Sequence, residues 1–147
     1  MAEEAKVAAI RAQAEGGDAR AMSKLGIAYR DGERGLKQDK KQAFTWFKQA
    51  ADLQDPTALT SCGAAYLNAH GVERSISRGV SMVTMAAERG SEHACGILGR
   101  ANAEGRHGFD QDPQEATRWY RQMQTCGIRN ASEAGRERAA VWLREHP

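Results

Sequence analysis

Three nine-residue stretches recur on a nearly fixed period, and that period restricts what the chain can fold into. They are AMSKLGIAY (21–29), ALTSCGAAY (58–66) and ACGILGRAN (94–102). Each reads Ala-x-x-x-Leu/Cys-Gly-x-x-Tyr/Asn. Ala21, Ala58 and Ala94 lie 37 and then 36 residues apart, and so do Gly26, Gly63 and Gly99. At about 100° per residue, positions i, i+4, i+5 and i+8 share one helical face. Each stretch therefore predicts an amphipathic helix, A. A unit of this length cannot bury its apolar face alone, so units must stack.

A second helix, B, follows in each unit. Its stripe is Ala43, Trp46, Phe47, Ala50, Ala51 in the first unit and Gly79, Met82, Val83, Ala86, Ala87 in the second. In the third it is Ala116, Trp119, Tyr120, Met123, Gln124. The spacing i, i+3, i+4, i+7, i+8 is helical. A glycine-containing turn joins A to B, and Asp39, Ser75 and Asp112 stand where an N-cap for B is expected. Asp18, Asp55 and Ser91 stand likewise before A. The middle turn is one residue shorter, from Tyr66 to Gly71, which accounts for the change from 37 to 36 without moving a helix position.

Leu, Ile, Val and Phe supply only 20 of 147 residues. A fraction that low suggests disorder, but the net charge of +2 argues against it. The many alanines and 15 glycines imply close-packed helices instead. Gly26, Gly63 and Gly99 are expected where A and B approach closely, because glycine inside a helix costs up to about 1 kcal/mol against alanine. The pairs Trp46-Phe47 and Trp119-Tyr120 are read as one structural part used twice rather than as a ligand cage. Trp46 and Trp119 are expected to be buried between helices, with Trp142 less critical.

These residues resemble the Sel-one-like repeat family, relatives of tetratricopeptide repeats. Its pattern is matched in the first unit by Ala21, Leu25, Gly26, Tyr29, Gly32, Gly35, Asp39, Ala43, Trp46, Phe47, Ala50 and Ala51. The resemblance covers residues 18 to 127 and implies an all-α fold: a right-handed superhelix of about three helix pairs in a single domain. Units fall at 18–54, 55–90 and 91–127, with capping helices at 2–16 and 132–146, so the chain reads as complete in itself. The second unit departs at Cys62, Ser75, Gly79 and Met82-Val83, and the third at Asn102 and Met123-Gln124. The middle unit is therefore expected to pack less tightly, and Asn102 to need a polar neighbour or solvent.

Chemistry finds little footing in the chain. Cys62, Cys95 and Cys126 have no metal spacing; Cys62 stands at a core position, and Cys95 and Cys126 are expected as partly exposed thiols. His93 and Cys95 are two apart, so their side chains diverge on a helix. An enzyme using Cys95 or His93 is the alternative reading. A cysteine-rich branch of the resembled family is linked to β-lactam binding, but its regularly paired cysteines are absent, and so is any Ser-x-x-Lys. The GERG turn lacks phosphate-loop spacing. No cofactor or metal is expected. The near-neutral charge and the core placement of the aromatics argue against nucleic acid. No apolar run approaches a membrane span, and with no signal-peptide pattern a cytoplasmic protein with reduced thiols is expected, an exported form cut from a precursor staying open.

The resemblance leaves the groove lined by the A helices. Positions used by tetratricopeptide-like arrays fall on Arg20, Ser23, Ile27 and Arg30 in the first unit and on Thr57, Thr60, Ala64 and Leu67 in the second. In the third they fall on His93, Gly96, Arg100 and Ala103. The expectation is a non-enzymatic adaptor or scaffold binding a protein or peptide with an acidic segment, the arginines holding carboxylates. An inhibitor of a cognate bacterial toxin is a narrower version. The bland alternative is that these are ordinary surface residues. The turn arginines Arg34, Arg74 and Arg106 are the next candidates.

Overall fold

A computed structural model describes the backbone of residues 2–147 and the side chains from Ala5 onward. It contains eight helices: α1 (Ala2–Glu15), α2 (Ala19–Asp31), α3 (Lys40–Asp52), α4 (Pro56–Asn68), α5 (Ile76–Glu88), α6 (Glu92–Glu104), α7 (Pro113–Thr125) and α8 (Glu133–Glu145). No strand occurs among the described residues; a single bridge joins Ser91 and Ile128. Helices α2/α3, α4/α5 and α6/α7 are the three A/B pairs, and the chain is an α-solenoid.

Local chemistry sets the helix limits. Seven helices begin at an extended residue whose side chain accepts from the first free amides: Asp18, Asp39, Asp55, Ser75, Ser91, Asp112 and Ser132. Each such cap contributes about 1 kcal/mol. The A helices end in a left-handed residue, Gly32, Ala69 or Gly105. Ala69 holds φ 56° where its counterparts are glycine, a strain local to the shortened middle turn.

The helix glycines let the pairs close. A Cβ on Gly26 would meet the Phe47 ring at 2.6 Å, and one on Gly99 would meet the Tyr120 ring at 2.6 Å. The middle pair does not pack loosely. Gly63 and Gly79 face each other there, so that a Cβ on either would touch the other's carbonyl oxygen at 3.0 and 2.9 Å, and Val83, Ala86 and Ala87 are fully buried. Two glycines in contact bring the backbones together and replace the missing aromatic ring. Asn102 is buried and donates to its own helix at the Leu98 carbonyl, 2.9 Å away, which is the polar neighbour it needs.

The aromatic pairs divide their work. Phe47 and Tyr120 are core, at 3 % and 1 % exposure, and Trp119 is buried with Arg118 over its face at 4.4 Å. Trp46 is only half-buried, contrary to expectation. It stands about 100° round the helix from Phe47, at the edge of the stripe. At the C-terminus, Ala139 is buried, while Trp142 and Leu143 are partly buried against the core. The Trp142 ring stacks on His146 and its N–H donates to Thr117.

Candidate interaction groove

The A-helix face carries two adjoining cavities. The first, about 230 Å³, lies between α3 and α4 beside the end of α2 and is lined in part by Arg30, Lys40, Phe44, Ala64, Asn68 and His93. The second, about 210 Å³, lies between α4, α6 and α8 and is lined in part by Ala64, Leu67, His93, Gly96, Arg100 and Arg138. Ala64, Asn68 and His93 border both, so the two form one trough along three units.

Of the residues placed in the groove from sequence, Arg30, Ala64, Leu67, His93, Gly96, Arg100 and Ala103 divide between trough and margin. The first six line the trough, although Leu67 is buried and also packs on Gly79. Ala103 is partly buried against the core and Ile27 likewise. Arg20 is exposed but lines neither cavity.

Ser23 and Thr60 are not available to a partner, because both are buried staples between units. Ser23 Oγ donates to Asp55 Oδ2 at 2.9 Å, and Thr60 Oγ1 lies 2.8 Å from Ser91 Oγ. In each case a hydroxyl on one A helix bonds the N-cap of the next. Thr57 is half-buried and faces Asn130 Nδ2 at 3.4 Å.

Sequence reasoning missed the segment that closes the groove at its C-terminal end. Three residues separate B from the next A in the first two units, but seven, 126–132, separate α7 from α8. These seven form a strap across the start of α6. Ile128 N–H donates to the Gly90 carbonyl, and Glu92 N–H donates to the Ile128 carbonyl, each at 3.0 Å. His93 N–H donates to Asn130 Oδ1 at 2.9 Å, and Asn130 Nδ2 donates to Ser91 Oγ at 3.1 Å.

Glu92 is the anchor. Its side chain is 1 % exposed and accepts from the Ala131 amide and from two nitrogens of Arg136, with Arg129 at 3.0 Å. Burial opposes its ionisation, but Arg136, the Ala131 amide and Arg129 together hold the carboxyl below its usual range. The strap thereby sets α8 beside α6, so that Ser132, Gly135 and Arg138 become groove wall. The longer gap was the available signal; nothing in the repeat pattern says where the extra residues go.

The trough is basic. Arg30 is paired with Asp31, and Arg100 and Arg106 share Glu104 at 3.1 and 3.0 Å. Lys40 and Arg138 have no carboxylate partner among the described residues. The His93 pKa is pulled down by burial and then by Arg30, which keeps the imidazole neutral near pH 7.

The thiols differ from expectation. Cys95 and Cys126 are both buried, their sulfurs 3.4 Å apart, because Cys126 closes α7 against the start of α6. Burial pushes the Cys95 thiol up to about 12 and the Cys62 thiol up to about 12. A neutral, covered thiol is a poor nucleophile. No group of three His, Cys, Asp or Glu side chains able to hold a metal occurs among the described residues. Among those residues, no helix is long and apolar enough to cross a membrane.

Known proteins share this architecture. The Sel1 repeat model matches residues 19–55, 56–91 and 93–123. A Sel1 repeat protein from Oxalobacter formigenes superposes with a TM-score of 0.68 at 33 % identity, over 74 % of this chain and 44 % of that one. A protective antigen of uropathogenic Escherichia coli, described as displaying an SLR fold, superposes with a TM-score of 0.71 at 30 % identity, over 81 % of this chain and 25 % of that one. The ERAD-associated E3 ubiquitin-protein ligase component HRD3A of Arabidopsis thaliana is 39 % identical over 59 residues, 40 % of this chain and 9 % of that protein. The chain thus spans less than half the length of each of these relatives. Proteins built from such repeats generally serve as non-catalytic protein-interaction modules. The matched units account for most of the chain, from α2 to the last turns of α7, and the chain belongs to the Sel1 repeat family.

Proposed function

We propose that the chain is a non-enzymatic adaptor or scaffold that grips an acidic protein segment in the A-helix trough. The observation carrying this reading is the trough itself: small residues Ala64 and Gly96 along its floor, with Arg30, Lys40, Arg100 and Arg138 along its walls. Small floor residues let a partner's backbone approach, and guanidinium groups bind carboxylates through paired hydrogen bonds. The name of HRD3A, a component of a ligase, is in keeping with a role in assemblies. Inhibition of a cognate toxin would be a narrower use of the same trough, and the cytoplasm the natural setting for reduced thiols. The buried, neutral Cys95 disfavours the enzymatic alternative.

The site is revised from the sequence reading in two ways. Ser23 and Thr60 drop out as staples, and Lys40 and Arg138 enter as cations without carboxylate partners. The test is selection of binders from a displayed library of acidic peptides, followed by Arg30→Glu with Arg100→Glu. Binding should weaken at least about tenfold and the parent's affinity should fall with salt. A double variant that keeps its helical circular dichroism and binds as the parent does would move the site elsewhere.

A further inference from the structure

We propose that the cavity between α4, α6 and α8 is a receptor for a phosphate monoester dianion, carried on a side chain of the protein segment that occupies the trough. This inference rests on the trough reading and names the group it was built to recognise. Basic side chains reach the cavity from three places. Arg100 and His93 come from α6, Arg106 and His107 from the turn after α6, and Arg138 from α8. No acidic residue is among those lining it.

Two features favour a dianion over a single carboxylate. The first is charge. Three guanidinium groups and the one carboxylate that pairs with two of them, Glu104, leave two net positive charges, the complement of a phosphate ester at neutral pH. A carboxylate would leave one uncompensated. The second is arrangement: Arg100 and Arg138 reach the one cavity from different helices, α6 and α8, and Arg106 from the turn between α6 and α7. A volume of about 210 Å³ suits one compact group rather than a peptide backbone.

The turn supplies two of these residues. Gly105, His107 and Gly108 hold positive φ, at 69°, 55° and 82°, as Gly32, Arg34 and Gly35 do in the first unit, so this is the ordinary turn of the repeat. Here it carries Arg106 and His107, both of which line the cavity. Burial, Arg106 and Arg74 lower the His107 pKa, as burial and Arg30 lower that of His93. A bound dianion would reverse those shifts and let both rings donate to its oxygens.

The experiment uses the full chain and four probes at constant ionic strength. They are a short Glu/Ala peptide with one central phosphoserine, the same peptide with serine or with glutamate there, and inorganic phosphate. Affinity is measured by calorimetry, and the His93 and His107 titrations by NMR. The phosphopeptide should bind at least about tenfold tighter than the other three and raise both histidine pKa values. The double variant Arg106→Gln, Arg138→Gln changes exposed residues only, should keep its circular dichroism, and should lose the preference. If the glutamate peptide binds as tightly, the proposal fails while the acidic-segment reading stands. If inorganic phosphate binds as tightly, the site serves a free anion and the protein-borne source is wrong. If the double variant keeps the preference, the cavity is not the receptor. If none of the four binds, both readings fall.

Discussion

Adding one methyl group at two glycines on the same helix should move stability in opposite directions. Gly99 and Gly96 both lie on α6. A Cβ on Gly99 would meet Tyr120 ring atoms at 2.6, 2.7 and 3.0 Å, roughly 1 Å inside the carbon–carbon optimum. The ring has little room to retreat, since Tyr120 is 1 % exposed and the Trp142 ring packs on it with centroids 5.9 Å apart. Overpacking of this kind costs about 2–3 kcal/mol, against about 1 kcal/mol gained from helix propensity. Gly99→Ala should therefore lose about 1–2 kcal/mol, lowering Tm by roughly 2–8 °C for a chain of this size. A Cβ on Gly96 meets only the Met123 Cε and Sδ atoms, at 3.3 and 3.4 Å. A methionine end adapts, so Gly96→Ala should raise Tm by about 1–4 °C. Thermal melts followed by circular dichroism decide the matter. Two shifts of the same sign would show that the close approach of A and B is not what glycine provides.

Other expected outcomes follow from the same packing and electrostatics. Phe47→Ala should cost about 3–5 kcal/mol and Trp46→Ala about half of that, since Phe47 is buried and Trp46 half-exposed; urea unfolding measures both. Because the folded Glu92 pKa is depressed, its contribution is complete above the unfolded glutamate value of about 4.3 and is lost as pH falls through the lower folded value. The stability gap between parent and Glu92→Gln should accordingly stay constant from pH 7 to about pH 5 and narrow below about pH 4, as read from denaturant midpoints. Cys62 and Cys95 should resist a thiol-reactive dye at pH 8 in the folded protein and react within the dead time in urea; fast labelling of the folded chain would reopen the nucleophile reading.

The repeat made much of the architecture readable because its signals are local and occur three times. A cap residue, a stripe and a glycine each constrain one turn of helix, and Asp18, Asp39, Asp55, Ser75, Ser91 and Asp112 all cap as their positions imply. What stayed hidden depends on contacts between units. Ser23 and Thr60 occupy groove register, yet their hydroxyls turn to the next N-cap, which only the stacking geometry determines. The compactness of the middle pair needed Gly63, the regular helix glycine of the repeat, and Gly79, a departure from its pattern, to be seen facing each other. Cys95 and Cys126 lie 31 residues apart and meet because α7 ends beside the start of α6. The strap had no repeated counterpart to align with, so the roles of Glu92, Asn130 and Arg138 could not be inferred from periodicity.

The most direct test of the account is where a bound partner touches. A photo-crosslinking amino acid placed at Asn68, exposed on α4 and bordering both cavities, reports on the trough; one at Ser81, exposed on α5, reports on the B-helix side. With a peptide selected for binding, crosslinks should form from position 68 and disappear when Arg30 and Arg100 are reversed in charge, with none from position 81. Crosslinks from position 81 and none from position 68 would contradict the claim that this chain works through its A-helix trough.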